Sequence, residues 1–355
     1  MRVLQVDSGR EWRGGQNQVR LLCRELAREA GVEQILISKE DSELARRALA
    51  DGVNVVQVPW AISVDPRATS RIKAQVHSFR PAVVHAHDSH ALNAALRAAD
   101  LEAVSVVGTR RVDFSSQRDW LTDLLFGPSP WTQVTRIIAI SDAVRAVLVA
   151  DGIAEGEITV IPDGIDPLEV QRAAARSLLI RSRLGIPPLT PLAVNVAALV
   201  DHKDQLTLIR AAGHARARLP DLHWLIAGEG ELRGSLRAEI TRLGLADRVH
   251  LLGYVEAADA LIRESDVFVM SSKEEGLGSV ILNALALGKP VVATAAGGIP
   301  EILPAEALVP VGDAVGLATK VVDTLSHPPS RIPFPERFTA AAMAQGVLAL
   351  YRSLL

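Results

Sequence analysis

The stretch KEEGLGSVILNALALGKPVVATAAGGIPEIL, residues 273–303, decides the class of fold. An apolar run, VFVMSS, leads into it and reads as a strand. A glycine-rich turn follows at residues 275–278, and SVILNALAL then reads as a short helix. Gly288 falls where a helix C′ residue takes left-handed backbone, and Lys289-Pro290 starts the next strand, VVAT. A strand, a crossover helix and a second strand in this order are the repeating unit of a parallel sheet.

The same alternation runs through the chain. Strands are expected at MRVLQVD, QILIS, VNVVQVP, AVVHAH, VSVVGTR, RIIAIS and ITVIP, then at LAVNVAAL, HWLIAGEG, VHLLGY, VFVMSS, PVVATAA and ALVPVGD. Their near-continuous apolar character suits strands covered by helices on both faces. With 355 residues the chain is too long for one ordinary core, so two domains are expected. Turn residues in IPDGIDPLEV and the proline-rich IPPLTP bracket the break. The expected division is residues 1–175 and 176–335, each a Rossmann-like domain. Residues 336–355 form a terminal helix that could cross back to the first domain.

Composition narrows the function. The chain is 48% hydrophobic and 22% charged with a formal net charge of -3, which fits a globular protein and gives no general grip on nucleic acid. One cysteine, Cys23, leaves no internal disulfide and suits a reducing compartment. Met1 runs straight into a first core strand, and no apolar run reaches the ~18–20 residues of a membrane span. A soluble, cytoplasmic protein is therefore expected.

Ligands of open parallel sheets sit beyond the carboxyl ends of strands, so loops there hold the candidate residues. Gly14 and Gly15 open a helix in GREWRGGQNQVRLL; they either admit a phosphate or sugar hydroxyl to its free N–H groups or simply satisfy a turn. IAGEGELRG offers Gly228, Gly230 and Gly234, but the third glycine is misplaced for a dinucleotide fingerprint. A nucleotide-side turn, with Glu229 in reach, fits better. In EEGLGSV, Gly276 and Gly278 flank a helix start, and a diphosphate would sit on the amides of Leu277, Gly278 and Ser279. Ser279 and Asn283 share one helix face. Glu275 precedes it and would accept from sugar hydroxyls, or else is a solvated loop charge.

Further strand-end candidates lie in the first half. HAHDSHALN holds His85, His87 and His90 without a matching cysteine or carboxylate pattern for a metal. His85 reads as core, while His87 and Asp88 could contact hydroxyls. GTRRVDF places Arg110, Arg111 and Asp113 in the next loop, either for an anion or as a solvated Arg-Asp pair. RATSRIKAQVHSFR, residues 67–80, is a basic amphipathic helix that touches anionic lipid or merely covers the sheet. Trp120 and Phe126 form an apolar lip or pack.

Taken together, these motifs resemble the retaining glycosyltransferases of family 4, which transfer sugars from nucleotide donors on a GT-B fold. The resemblance spans nearly the whole chain through Gly14-Gly15, IIAISDAV, ITVIPDGID, HKDQLTLIRAA, LIAGEGEL, VHLLGYV and the opening stretch. It implies an α/β protein with two Rossmann-like doubly wound domains facing across a cleft, residues 1–175 on the acceptor side and 176–335 holding the donor. It also implies a nucleoside-diphosphate sugar donor, UDP- or GDP-linked, with no cofactor and no metal. The acceptor would be a glycan, a lipid-linked sugar or a small molecule, with peripheral contact to the inner face of the cytoplasmic membrane as one option and no nucleic acid partner.

Residue by residue, Glu275 matches the first Glu of the family's E-x7-E motif, which binds donor-sugar hydroxyls. Lys203 matches the lysine that neutralises the donor diphosphate, where a fixed cation stabilises the leaving group. Gly15 matches the glycine beside the donor phosphate or acceptor, and Tyr254 lies where main-chain groups hold the base. Gly297 and Gly298 turn beside the sugar, and Glu301 is a structural partner at a helix start. The chain departs from the pattern at three places. Asn283 replaces the second Glu, which hydrogen-bonds the ribose, at a cost of about 1–2 kcal/mol in charge assistance. Ala198 replaces an arginine, leaving Lys203 alone unless His202, Arg110 or Arg111 helps. Asp163 replaces an Asn in a turn that either residue can make. Loss of the Glu and the Arg leaves a second option open: a catalytically weakened sugar-nucleotide-binding or scaffold relative.

Overall fold

The computed structural model describes residues 1–62, 65–99, 103–112, 129–330 and 332–355. The chain divides into two compact units, Met1–Ile165 with Glu336–Leu355, and Asp166–Pro335.

The first unit is built on a seven-stranded sheet: β1 (Arg2–Asp7), β2 (Glu33–Lys39), β3 (Val55–Val58), β4 (Val83–Ala86), β5 (Ser105–Arg110), β6 (Arg136–Ala139) and β7 (Ile158–Val160). The order is β3-β2-β1-β4-β5-β6-β7, and every pair is parallel. The crossovers are α1 (Gly14–Leu26), α2 (Glu43–Ala50), α3 (Pro66–Phe79), α4 (Ser89–Ala98) and α5 (Asp142–Ala150). Local chemistry sets their starts. Ser42, Asp65, Asp88 and Ser141 each cap a helix by accepting from backbone N–H groups in its first turn.

The second unit carries six parallel strands: β8 (Leu192–Val196), β9 (His223–Ala227), β10 (Val249–Gly253), β11 (Val267–Met270), β12 (Val291–Thr294) and β13 (Leu308–Val309), in the order β10-β9-β8-β11-β12-β13. Its helices are α6 (Pro167–Ala174), α7 (Ile180–Arg183), α8 (Gln205–Ala215), α9 (Arg233–Arg242), α10 (Ala258–Glu264), α11 (Ser279–Ala286) and α12 (Ala314–Ser326).

The expected boundary at 175/176 lies too late. Helix α6 belongs to the second unit, where it packs on α10 and α11, burying Val170 and Ala174. Gln171 Nε2 also donates to the Ala286 carbonyl at 3.2 Å. The last helix, α13 (Ala340–Ser353), belongs to the first unit. Ile165 N donates to Phe338 O at 2.9 Å and Ala340 N to Ile165 O at 2.8 Å. Met343, Ala344, Val347, Leu348 and Tyr351 then pack against Leu21, Leu22, Val83, Val107 and Ile138. Each fully buried aliphatic side chain there contributes ~1.5–3 kcal/mol. Gly164 is required at this junction, because a Cβ would lie 2.3 Å from the Thr339 carbonyl oxygen.

Each sheet reverses its winding once. In the first unit the chain leaves edge strand β3 and returns beside β1 as β4; in the second it leaves β10 and returns beside β8 as β11. The loops at the carboxyl ends of β1 and β4, and of β8 and β11, diverge and leave a crevice, which is where such sheets bind ligands.

Candidate functional site

In the second unit, the crevice brings together two residues far apart in sequence. Lys203 ends the 3-10 turn Asp201–Lys203 after β8, and Glu275 lies in the loop after β11. Lys203 Nζ donates to Glu275 Oε2, with the two side chains 19% and 13% exposed. Ser272 Oγ donates to the same carboxylate oxygen at 3.1 Å. The backbone is equally tied down. Ser271 Oγ donates to Lys203 O at 3.1 Å, Lys273 N to His202 O at 2.8 Å, and Gly298 N to Glu275 O at 2.9 Å. Three loops, after β8, β11 and β12, therefore hold one cation and one carboxylate in fixed positions.

Helix α11 starts beside this pair. Its N-cap, Gly278, has φ 86°, a left-handed conformation that a side chain would strain, and no side chain caps the helix. Leu277 is buried, and the free N–H groups of the first turn with the helix dipole make an anion-binding end. Glu275 Cγ would be 3.4 Å from a Cβ at Gly278, so carboxylate and helix end are neighbours.

Asn283, one turn into α11, is not idle. Its Nδ2 donates at 2.7 Å to Asp259 Oδ1 on α10, a carboxyl whose pKa burial raises. A carboxylate thus does stand beside the position where the sequence lacks one, supplied by a different helix. Sequence reading missed Asp259 because no short-range pattern joins residues 24 positions apart.

The other second-unit candidates divide. Gly228 and Gly230 are demanded by packing between loops: a Cβ at Gly228 (φ 149°) would lie 1.8 Å from Ala197 O, and one at Gly230 would lie 2.2 Å from Leu199 O. They let the loop after β9 lie on the loop after β8, with Leu199 N donating to Glu229 O at 2.9 Å. Gly234, the second residue of α9, faces open space. Tyr254 follows β10 with 68% of its surface exposed. Ala198 is an exposed loop residue.

In the first unit, the crevice is lined by more than the sequence suggested. Asp7, the last residue of β1, is 1% exposed; Oδ1 accepts from Gly9 N at 2.8 Å and Oδ2 from Gln16 Nε2 at 3.4 Å. Burial first, then the nearby Asp88, pushes its pKa up to about 7. Arg111 Nε donates to Asp163 Oδ1 at 3.2 Å and Nη1 to the His87 carbonyl at 3.2 Å. Gly15, on the first turn of α1, faces Arg111: a Cβ there would reach Arg111 Cδ at 3.8 Å and nothing nearer, so packing alone does not require the glycine. Gly14 is the first residue of α1.

Two first-unit readings need correction. Asp88 is a helix cap: its carboxylate accepts from Ser8 N at 2.7 Å, Ser8 Oγ at 2.6 Å, and His90 N and Ala91 N at 2.9 Å. Arg110 leaves the crevice, because adjacent strand residues point to opposite faces. It is 4% exposed, with its guanidinium 5.4 Å from the centroid of the Trp131 ring. His87, just past the strand end, is 5% exposed, its ring tilted against His85 at 4.1 Å and its Nε2 bonded to Gln5. His85 is core, as expected. Asp113, Trp120 and Phe126 lie outside the described residues. No group of three or more His, Cys, Asp or Glu suited to a metal occurs among the described residues.

Comparison with known proteins agrees with this geometry. Residues 12–168 match the Glycosyltransferase Family 4 model and residues 178–344 the Glycosyl transferases group 1 model. A lipopolysaccharide core biosynthesis glycosyltransferase, LpsE of Rhizobium meliloti, is 34% identical over 161 residues, 44% of this chain and 46% of that protein. A GDP-mannose-dependent monoacylated alpha-(1-6)-phosphatidylinositol monomannoside mannosyltransferase of Corynebacterium glutamicum is 32% identical over 182 residues, 48% of this chain and 47% of that one. The chain thus spans about half the length of these relatives. Among solved structures, Anabaena Alr3699/HepE in complex with UDP superposes with a TM-score of 0.82 at 20% identity, covering 99% of this chain and 100% of that one.

Proposed function

The chain belongs to the glycosyltransferases of group 1, family 4, with the GT-B fold, and we propose that it moves a hexosyl group from a nucleoside-diphosphate donor to an acceptor hydroxyl with retention at the anomeric carbon. The observation that carries this reading is the Lys203–Glu275 pair at the second-unit crevice, beside the uncapped start of α11. A leaving diphosphate gains negative charge as the glycosidic bond breaks. Lys203 and the amides of Leu277, Gly278 and Ser279 lie where they stabilise that charge, and Glu275 accepts from the sugar's hydroxyls. The departing phosphate oxygen takes the acceptor's proton on the same face, which gives retention without a protein base. Asn283 faces the ribose, held by Asp259, and the main chain around Tyr254 faces the base.

Support for the donor comes from relatives: HepE is solved with UDP and with UDP-glucose, and the corynebacterial enzyme uses GDP-mannose. Support for cell-envelope glycan or glycolipid assembly comes from the lipopolysaccharide-core and phosphatidylinositol-mannoside relatives. We place the reaction in the cytoplasm, with peripheral contact to the membrane's inner face when the acceptor is a lipid. Among the described residues no helix is long and apolar enough to cross a membrane. A degenerate scaffold would not be expected to keep the cation, the carboxylate and the three loops that fix them.

The test is thermal stability with UDP, GDP, ADP, CDP and TDP. A nucleotide at ~100 times its Kd stabilises the native state by about 2.7 kcal/mol. One nucleotide should raise the melting temperature, and Lys203→Ala should abolish the rise. No shift with any nucleotide would refute a donor site.

A further inference from the structure

Five polar side chains form one unbroken hydrogen-bonded chain inside the first unit. Gln5 on β1, His85 on β4, His87 just beyond β4, Thr109 on β5 and Tyr351 on α13 are each 5% exposed or less. Each link has a direction. Gln5 Nε2 donates to Tyr351 Oη at 3.2 Å, which turns Gln5 Oε1 toward His87 Nε2 at 2.8 Å. An amide oxygen only accepts, so His87 carries its proton on Nε2. Tyr351 Oη, having accepted from Gln5, spends its own proton on His85 Nδ1 at 2.5 Å, and His85 Nε2–H donates to Thr109 Oγ1 at 2.6 Å. Burial holds both imidazoles neutral: it pushes His85 down to about 3 and His87 well below the usual histidine value.

The chain ends on an atom with nothing to bond. His87 Nδ1 is buried, has no hydrogen-bond partner, and by this accounting is a lone pair. Arg111, whose Nη1 donates to the His87 carbonyl, disfavours a proton on the ring. The carboxyl groups nearby are already engaged: Asp88 by the α4 cap and Ser8, Asp163 by Arg111, and Asp7 by Gly9 and Gln16. Among the described residues no donor reaches His87 Nδ1. An unpaired buried acceptor is costly, and a ligand hydroxyl would recover that cost.

We propose that Gln5 and Tyr351 are positioning residues that hold His87 in its Nε2–H tautomer, so that Nδ1 accepts from a hydroxyl of a sugar bound at the first-unit crevice. The inference rests on the transferase reading only for the source of that sugar. It gives the C-terminal helix a role in the site, since Tyr351 reaches the centre of the sheet from α13.

The test uses the full chain, labelled with ¹⁵N, and long-range imidazole ¹H–¹⁵N spectra, with His87→Gln to assign the signal. His87 should be protonated on Nε2 alone. Methyl glucoside, methyl galactoside and methyl mannoside are titrated in one arm, UDP and GDP in another. At least one glycoside should move the Nδ1 resonance upfield and saturably. Tyr351→Phe keeps the ring but removes the hydroxyl; it should mix the His87 tautomers and weaken the glycoside about fivefold. Gln5→Met is the second variant should Tyr351→Phe not fold, with the same two effects expected. A proton on Nδ1 in the wild type, an Nδ1 signal that no glycoside moves, or tautomer and affinity unchanged in the folded variant would each overturn the proposal. If a nucleotide binds and glycosides leave Nδ1 unmoved, the transferase reading stands and this one falls. A glycoside response without nucleotide binding gives the reverse.

Discussion

Glu275→Gln should make the protein bind a bare nucleoside diphosphate more tightly. In the unliganded protein Lys203 is held by the Glu275 carboxylate, so a diphosphate must take the lysine away and then sit beside the negative charge left behind. At 19% and 13% exposure the pair is poorly screened. Two unit charges at ~4 Å attract by about 4 kcal/mol at an effective dielectric of about 20, before desolvation is subtracted. A net coupling of ~1.5 kcal/mol remains, in the range of a charge-assisted hydrogen bond. That corresponds to a roughly tenfold lower Kd for UDP or GDP, whichever the wild type prefers. The substituted amide keeps the shape of the carboxylate and can still receive the Ser272 hydroxyl, so the loop should hold. Turnover of the intact sugar nucleotide should fall, because a neutral amide grips the sugar hydroxyls less firmly. Calorimetric titration of nucleotide into both proteins decides the matter. Equal or weaker nucleotide binding by the glutamine variant, with wild-type binding intact, would refute the reasoning. The wider consequence is that Lys203 and Glu275 re-pair when product leaves, so the ion pair favours intact donor over spent nucleotide.

Three other outcomes are expected. Gly228→Ala, with its Cβ driven to 1.8 Å from Ala197 O at φ 149°, should cost more than ~2 kcal/mol and lower the melting temperature by at least ~4 °C. Asn283→Glu, which supplies the family's second carboxylate, should destabilise the protein near neutral pH by setting two carboxylates together; adding Asp259→Asn should recover stability in the same melting assay. Asp7 has a folded pKa near 7, raised above its unfolded value, so the native state holds the extra proton and the group's stabilisation is lost as pH rises from about 4 through 7. Melting temperatures of Asp7→Asn and wild type, compared from pH 5 to 8, should therefore diverge in favour of the variant as pH rises.

The layout of the fold was legible in residues whose signals are local. Apolar runs broken by Gly and Asp marked the strands, and Gly288, with φ 68°, marked the end of α11, because a left-handed C′ residue answers only to its own last turn. Gly278 and Glu275 were legible for a similar reason: a left-handed turn at a helix start leaves a glycine signature. The domain boundary was misplaced because α6 carries no mark of which core its Val170 joins.

By itself, then, the sequence determined two parallel sheets and the loops on which chemistry would sit, since backbone preferences and hydrophobic period act over a few residues. The tertiary structure alone decided which side chains meet. It paired Lys203 with Glu275 and Asn283 with Asp259, turned Arg110 onto Trp131 and Arg111 toward Asp163, and brought Tyr351 to Gln5 across almost the whole chain. Contacts of that kind depend on the winding of the sheets and on the burial it imposes, and no short stretch of residues encodes either.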